Sequence, residues 1–498
     1  MKRRLLPGLT VSALALGGAL ALGCAPTRPA LPPAPPAQSA EQLSAWQQAP
    51  ALQEEPPVVL DWGVKRSQLP NGVGVTVVTR AQSDSTSVYL RVPSASDTST
   101  GDVAVMAEAL RAGTLHGSKG ELYVNPRLGQ MPIRIATDAT GTTFSWSVLP
   151  KGTPKALELL GEFVLKPAFD KEEVRIRLQQ ELADIQGESV ALWLHTRRLA
   201  RGAIPTLKAP TQEEDARGLF QLEPARLKQI HACTIHPTGA ELVVVGPVEA
   251  GKALAWASAA FGGWAAQAAG SECAKWRAPV LTADPARTRL ERAEVQLISG
   301  TVGDPVVVID VPGPAIDSPD YVPFMLLTYV LESRRSGAAK ELRHAGGTYG
   351  IHSNLIDSYP HLTLLELQGQ VEPESLEPAL RGLIADLRGL ATSLQESELA
   401  AVKRSTRNGL INWLTANDAV AWLVLNHARR GLGVDHLLDS PNELLQLDLA
   451  RCREVAQRWL SNAEPSIVVT GPVERDLGIH VNSRRLAWTR RPQAYKKP

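Results

Sequence analysis

The sequence predicts an α+β fold: two tandem homologous α/β-sandwich halves, each a sheet with helices packed on one face. Three observations carry the prediction. Glu241-Leu-Val-Val-Val-Gly246-Pro-Val returns 225 positions later as Ser466-Ile-Val-Val-Thr-Gly471-Pro-Val, and Phe169-Asp-Lys-Glu-Glu173-Val174 returns at the same offset as Leu394-Gln-Glu-Ser-Glu398-Leu399. A period that long marks a duplicated domain rather than a solenoid unit. Within each half, β-branched strands are followed by helical spacing, the order expected of a sheet with helices laid against it. Finally, 498 residues at 44% hydrophobic content are enough for more than one core. Near-balance of 52 basic against 51 acidic residues excludes a nucleic-acid binder acting through bulk charge. A mean hydropathy of −0.09 excludes a polytopic membrane protein.

The N-terminal residues 1–23 read as a signal peptide. Lys2-Arg3-Arg4 is a basic start, and the apolar run Leu9 to Leu22 is shorter than a comfortable membrane span. It closes on Leu20-Ala21-Leu22-Gly23-Cys24, which resembles a bacterial lipoprotein signal whose cysteine becomes the lipidated mature N-terminus. A plain secretory signal is the alternative. Ala25 after Cys24 points to the outer membrane, with the body facing the periplasm or cell surface of a Gram-negative bacterium. Residues 24–58 form a tether whose proline-rich composition favours extended stretches over a packed core.

The first half, 59–282, opens with the strands Val73–Thr79 and Ser87–Val92, followed by a helix over Asp102–Ala112 that Gly113 stops. Phe144-Ser-Trp146-Ser-Val148 alternates as a half-buried strand. Helices follow over Ala156–Val164 and Glu172–Gln186, and the half ends on the strand Glu241–Val245 and the helix Ala250–Phe261. The second half, 283–480, carries Val306–Val311 as the counterpart of Ser87–Val92. Residues 481–498 are a basic tail, read as solvated, with Arg484, Arg485, Arg490, Arg491, Lys496 and Lys497.

Leu69-Pro70-Asn71-Gly72 opens a strand pair, Gly113-Thr114 ends a helix, and Lys166-Pro167-Ala168-Phe169 precedes a charged helix. In the second half, Leu342-Arg343 precedes Gly346-Gly347-Thr348-Tyr349, and Gly431-Leu-Gly-Val-Asp-His-Leu-Leu-Asp-Ser-Pro441 precedes the helix Arg451–Leu460. In this order and spacing the segments resemble the insulinase, pitrilysin and mitochondrial processing peptidase superfamily over residues 60–475. The resemblance implies zinc proteolysis through an inverted His-x-x-Glu-His motif, with two imidazoles on one helical face and a glutamate as general base. The helix that should carry it reads Ala104-Val105-Met106-Ala107-Glu108, and none of the ten histidines begins either orientation of the motif. Ala104, Ala107 and Glu108 thus occupy degenerate zinc-motif positions, with Glu181 or Asp184 near the place of a distal carboxylate ligand. The chain is expected to hold no metal or other cofactor and to be inactive alone, a member that lacks the zinc motif.

Arg343 and Tyr349 survive. In the family, an arginine and a tyrosine from the second half reach the zinc site of a different domain, hold the substrate and polarise its scissile carbonyl. Guanidinium and phenol are donors suited to a developing oxyanion. The spacing here is one residue shorter than usual, and a solvated Arg343 beside a packed Tyr349 is the structural alternative. Cys233 and Cys273 are read as a disulfide or as two buried thiols, Cys452 as core, and His231 and His236 as structural. No Gly-x-Gly-x-x-Gly, Walker loop or Gly-x-Ser-x-Gly elbow occurs.

The expected function is that of an exported lipoprotein and non-catalytic peptidase subunit. It would bind peptide substrate and supply Arg343 and Tyr349 in trans to a homologous His-x-x-Glu-His partner, the zinc residing in that partner of a heterodimer. A non-enzymatic scaffold or binding protein on the same fold is the alternative. A membrane contact through the lipid anchor is expected, and no nucleic acid. The alanines argue against an active peptidase with an unconventional site.

Overall fold

The computed structural model describes residues 62–93, 102–110, 113–114, 133–138, 141–172, 174–176, 179, 223–265, 273, 294–299, 304–344, 348–359, 362–429, 431–463, 465–471, 480–481, 484–485 and 487–492. The signal, Cys24 and the tether lie outside them.

The first half holds β1 (Gly63–Gln68), β2 (Gly74–Thr79), β3 (Thr86–Pro93), α1 (Asp102–Ala109), β4 (Arg134–Asp138), β5 (Gly141–Val148), α2 (Thr153–Leu165), α3 (Pro224–Thr234), β6 (Glu241–Gly246) and α4 (Ala250–Phe261). The second holds β7 (Glu294–Ser299), β8 (Val306–Gly313), α5 (Tyr321–His344), β9 (Thr348–Tyr359), β10 (Leu362–Val371), α6 (Leu376–Ser393), α7 (Glu396–Trp413), α8 (Asn417–Arg429), α9 (Val434–Gln446) and α10 (Leu449–Ala456), the last running into a π-turn at Gln457–Ser461. The strands β11 (Ser466–Thr470), β12 (His480–Val481), β13 (Arg484–Arg485) and β14 (Ala487–Pro492) follow.

The repeat is architectural. One six-stranded sheet runs β1-β2-β6-β3-β5-β4 and the other β14-β7-β11-β8-β10-β9, the same order over five equivalent strands; the remaining edge strand differs, β1 lying antiparallel to β2 and β14 parallel to β7. β6 and β11, the two copies of the repeated segment, are central strands, parallel to β2 and β7 and antiparallel to β3 and β8. Each ends in a glycine with φ of 159° (Gly246) or 138° (Gly471). A Cβ at Gly246 would come within 2.7 Å of Thr86 Oγ1, and one at Gly471 within 2.8 Å of Pro305 Cα. Close backbone approach therefore explains why both copies keep Gly-Pro-Val. The α+β class and the two tandem halves stand as the sequence predicts.

Alternation sends Val88, Leu90 and Val92 of β3, with Leu242 and Val244 of β6, into a core completed by α1, α2, α3 and α4. On α2, Ala156, Leu157, Leu160, Phe163 and Val164 recur at helical spacing and are all buried. The second core repeats the design: Val307, Ile309, Leu365, Leu367, Ile467 and Val469 meet Leu380, Leu383, Ile384 and Leu387 of α6. The opposite face of the first sheet is also closed. Val78, Tyr89, Val243 and Val245 pack against Val420, Ala421 and Val424 of α8 and Leu437 of α9, helices that belong to the second half.

One boundary needs correction. The basic segment read as a solvated tail contains β14, which pairs in parallel with β7 from Ala487↔Glu294 to Pro492↔Ser299. The second sheet thus extends past residue 480. Trp488 and Thr489 interrupt the arginines with strand-forming residues, and an unpaired edge at β7 provides the partner.

Candidate functional site

Helix α1 holds the degenerate motif. Val103, Met106, Ala107 and Leu110 are buried, so the helix is fixed by apolar packing. Ala107, at the glutamate position of the motif, is 1% exposed and presents a methyl group. Ala104 likewise carries no donor atom, and one carboxylate without imidazole is a poor zinc ligand set. Among the described residues no three His, Cys, Asp or Glu side chains come together as a metal site. The residues present do not fit a catalytic zinc. Glu181 and Asp184 lie outside the described residues.

The segments around α1 that carry the sequence resemblance are structural braces. Thr114 makes an isolated antiparallel bridge with Pro167, and Ala168 N–H donates to Gly113 O at 3.0 Å. Phe169 adopts a left-handed φ of 48° and is buried edge-on to His231, with ring centroids 5.9 Å apart. His231 Nε2 lies 2.8 Å from Val164 O. Burial depresses the imidazole's pKa, against a smaller opposing effect of that backbone contact. His231 is half-buried and engaged with Val164 O and the Phe169 ring, a structural setting. Cys233 and Cys273 form a disulfide, which settles the two readings left open. Cys452 is a free, buried thiol pushed up to about 11, mainly by burial.

Arg343 falls in the last turn of α5 and Tyr349 in the first residues of β9. Pairing passes from Gly350↔Gln370 to Thr348↔Val371, so Tyr349 is the extra residue of a β-bulge. Bulges re-aim a side chain and recur beside functional sites. The side chains of Arg343 and Tyr349 lie outside the described residues, as do those of Ala104 and Glu108 on α1.

A second cluster, at the junction of the halves, has no sequence signal because its members lie 271 to 337 positions apart. At the N-terminus of α8, Asn417 is 5% exposed. Its Nδ2 donates to Ser85 O and Ser83 Oγ, both at 2.6 Å, and its Oδ1 accepts from Arg80 at 2.8 Å. Arg80 also lies over the Trp62 ring, 5.2 Å from its centroid. The neighbouring Asp418 accepts from Arg134 of edge strand β4 at 2.5 Å and from Ser147 Oγ at 3.1 Å. Tyr89 stands beside this pair, and burial followed by the Asp418 charge pushes its phenol up to about 12. Two depressions flank this junction. One, of ≈ 490 Å³, is lined by Tyr89, Asn412, Trp413, Thr415, Asp418 and Trp422. The other, of ≈ 1040 Å³, lies among α5, α7, α8 and α9 and shares both tryptophans.

The two-sheet fold is similar to that of solved M16-type peptidase structures. Residues 221–406 match the family model described as "Peptidase M16 inactive domain". Over 82% of this chain and 99% of the other, the fold is similar to a protease from Helicobacter pylori at a TM-score of 0.69 and 16% identity. A peptidase M16 inactive domain from Pseudomonas fluorescens matches at a TM-score of 0.67 and 18% identity, covering 83% of this chain and 98% of that one. The first half of the periplasmic protease PqqL from Escherichia coli matches at 0.61 and 14%, covering 83% and 93%. No curated protein matches the chain by sequence. The chain thus shares the fold of M16-type peptidase structures, residues 221–406 match the model of an M16 inactive domain, and the sequence has no His-x-x-Glu-His.

Proposed function

We propose that this chain is the non-catalytic half of a two-chain M16-type peptidase, anchored through Cys24 to the outer membrane and facing the periplasm or cell surface. It binds peptide and lends Arg343 and Tyr349 to a homologous partner that carries His-x-x-Glu-His and the zinc. The observation that carries the reading is an α1 whose motif positions Ala104, Ala107 and Glu108 offer no zinc ligand set, in a sequence that retains Arg343 and Tyr349. Over 83% of itself the chain is similar in fold to 48% of the periplasmic protease PqqL from E. coli, at 15% identity. The Cys233–Cys273 disulfide supports an oxidising compartment outside the cytoplasm.

In such a pair the partner's zinc would supply the activated water, and this chain would supply donors. Guanidinium and phenol N–H and O–H groups bind an oxyanion more strongly than a ground-state carbonyl, so their contribution falls on turnover. Loss of one such donor typically costs about a hundredfold or more in rate. Arg343→Ala and Tyr349→Phe in the reconstituted pair should leave assembly intact while proteolysis collapses. Unchanged proteolysis in both variants, or no peptidase partner co-purifying, favours the second reading, a scaffold. That reading has its own support, since a chain of Complex III2 from Candida albicans shares the fold at a TM-score of 0.64 and 16% identity.

A further inference from the structure

The C-terminal segment carries charge that neither the fold nor the peptidase reading uses. Residues 477–498 hold six basic side chains, Arg484, Arg485, Arg490, Arg491, Lys496 and Lys497, and no acid. Taking these six from the 52 basic residues leaves 46 against 51 acidic ones in the rest of the chain. A total of +1 is therefore a body of −5 joined to an end of +6. Such segregation gives the molecule an electrical direction that its near-neutral total conceals.

Backbone pairing fixes part of this end in place. β12 and β13 form a short hairpin, Val481↔Arg484 and His480↔Arg485, and β14 lies on the second sheet with Arg490 opposite Leu297 and Arg491 opposite Ile298. Four arginines within eight residues are thus set in two strands, and β14 stands at the end of its sheet's order. Charges held in strands lose less freedom on binding than charges on a free tail. Charged residues on an edge strand also deter pairing with another sheet. Deterrence is served by either sign, however, and does not account for six cations without one acid. Trp488 stands between the two arginine pairs and Tyr495 precedes the lysines. Indole and phenol interleaved with cations is the composition of a segment seated at the headgroup level of a bilayer. Single-stranded nucleic acid would suit the same residue types, but a chain that opens on a signal-like segment works beside a membrane.

We propose that the β13 and β14 segment is a membrane contact, its arginines binding the phosphates of anionic phospholipid while the acidic body is repelled by the same surface. The proposal rests on the exported reading of the N-terminus, but not on acylation of Cys24 or on a zinc-bearing partner. Its test uses the full chain with Cys24→Ser, floated with vesicles of phosphatidylcholine alone or with one quarter phosphatidylglycerol. The quantity read is the gain in binding caused by the anionic lipid, to which the N-terminal segment contributes equally in parent and variants. Each cation near an anionic surface is worth about fivefold in partition. Arg490→Gln with Arg491→Gln should therefore lower the gain at least tenfold, and so should Arg484→Gln with Arg485→Gln. Arg490→Lys with Arg491→Lys keeps the charge and should keep the gain, which separates electrostatics from strand pairing. The gain should also vanish in about 1 M salt, where charges are screened within about 3 Å. A gain untouched by both glutamine pairs, or lost equally in the lysine pair, overturns the proposal. Release from the vesicles by inorganic phosphate, beyond that caused by chloride at equal ionic strength, overturns it and assigns the arginines to a free anion. Release by a single-stranded oligonucleotide at concentrations below that of the anionic lipid overturns it and assigns them to nucleic acid.

Discussion

Asn417→Ala should be the most damaging single change at the junction of the halves. The side chain is nearly buried and gives two N–H bonds to Ser85 O and Ser83 Oγ while accepting one from Arg80. Each neutral bond is worth about 1 kcal/mol net, and a bond from a charged donor about 1.5–3 kcal/mol. Burial already lowers the pKa of Arg80, so its guanidinium has little water to turn to when the acceptor goes. These contributions give a loss of about 3.5–5 kcal/mol. Asn417→Asp divides the loss, since it keeps the acceptor for Arg80 and removes the donors to Ser85 and Ser83. Urea unfolding of the full chain, followed by circular dichroism, measures both as shifts in midpoint at constant slope. A loss under about 1 kcal/mol for Asn417→Ala would refute the reasoning and mean that α8 is held to the first sheet by the apolar contacts of Val420, Ala421 and Val424 alone.

Cys273→Ser removes a crosslink spanning 40 positions, and the chain-entropy relation gives a loss of about 4 kcal/mol, read by thermal unfolding with and without reductant; a variant as stable as the oxidised parent would count against the bond. The Tyr89 phenol, with its folded pKa raised to about 12, holds its proton more tightly folded than unfolded. Its stabilisation is therefore complete below pH 10 and is lost as pH rises from about 10 towards 12. Ultraviolet titration should show one tyrosine ionising late, and Asp418→Asn should bring it back towards 10. Asp320, held below the usual carboxylate range because Trp459, Arg458 and Arg451 outweigh its desolvation, works in the opposite sense. It stabilises above about pH 4, and that stability is lost as pH falls through its lowered pKa, an acid limb that Asp320→Asn should flatten. Metal analysis of the purified chain should find no stoichiometric zinc; one tightly held zinc with chelator-sensitive cleavage would contradict the reading of α1.

The 225-residue repeat and period-two alternation made the sheets legible from sequence, because a duplicated domain must keep its central strands and a glycine where backbones nearly touch, as at Gly246 and Gly471. The absence of the zinc motif was legible too, since Ala104 and Glu108 stand at its histidine positions and Ala107 at its glutamate position. Other features belong to the tertiary structure alone. A sheet's free edge is a property of the assembled sheet, so the pairing of β14 with β7 could not be read from a run of arginines. The bulge at Tyr349 is a matter of register against Gln370 and Val371. The burial of both faces of the first sheet and the latch of Asn417 and Asp418 join residues hundreds of positions apart. Local pattern reports the period of an element and the chemistry of a side chain. Which surfaces meet is decided by how the two halves close on one another.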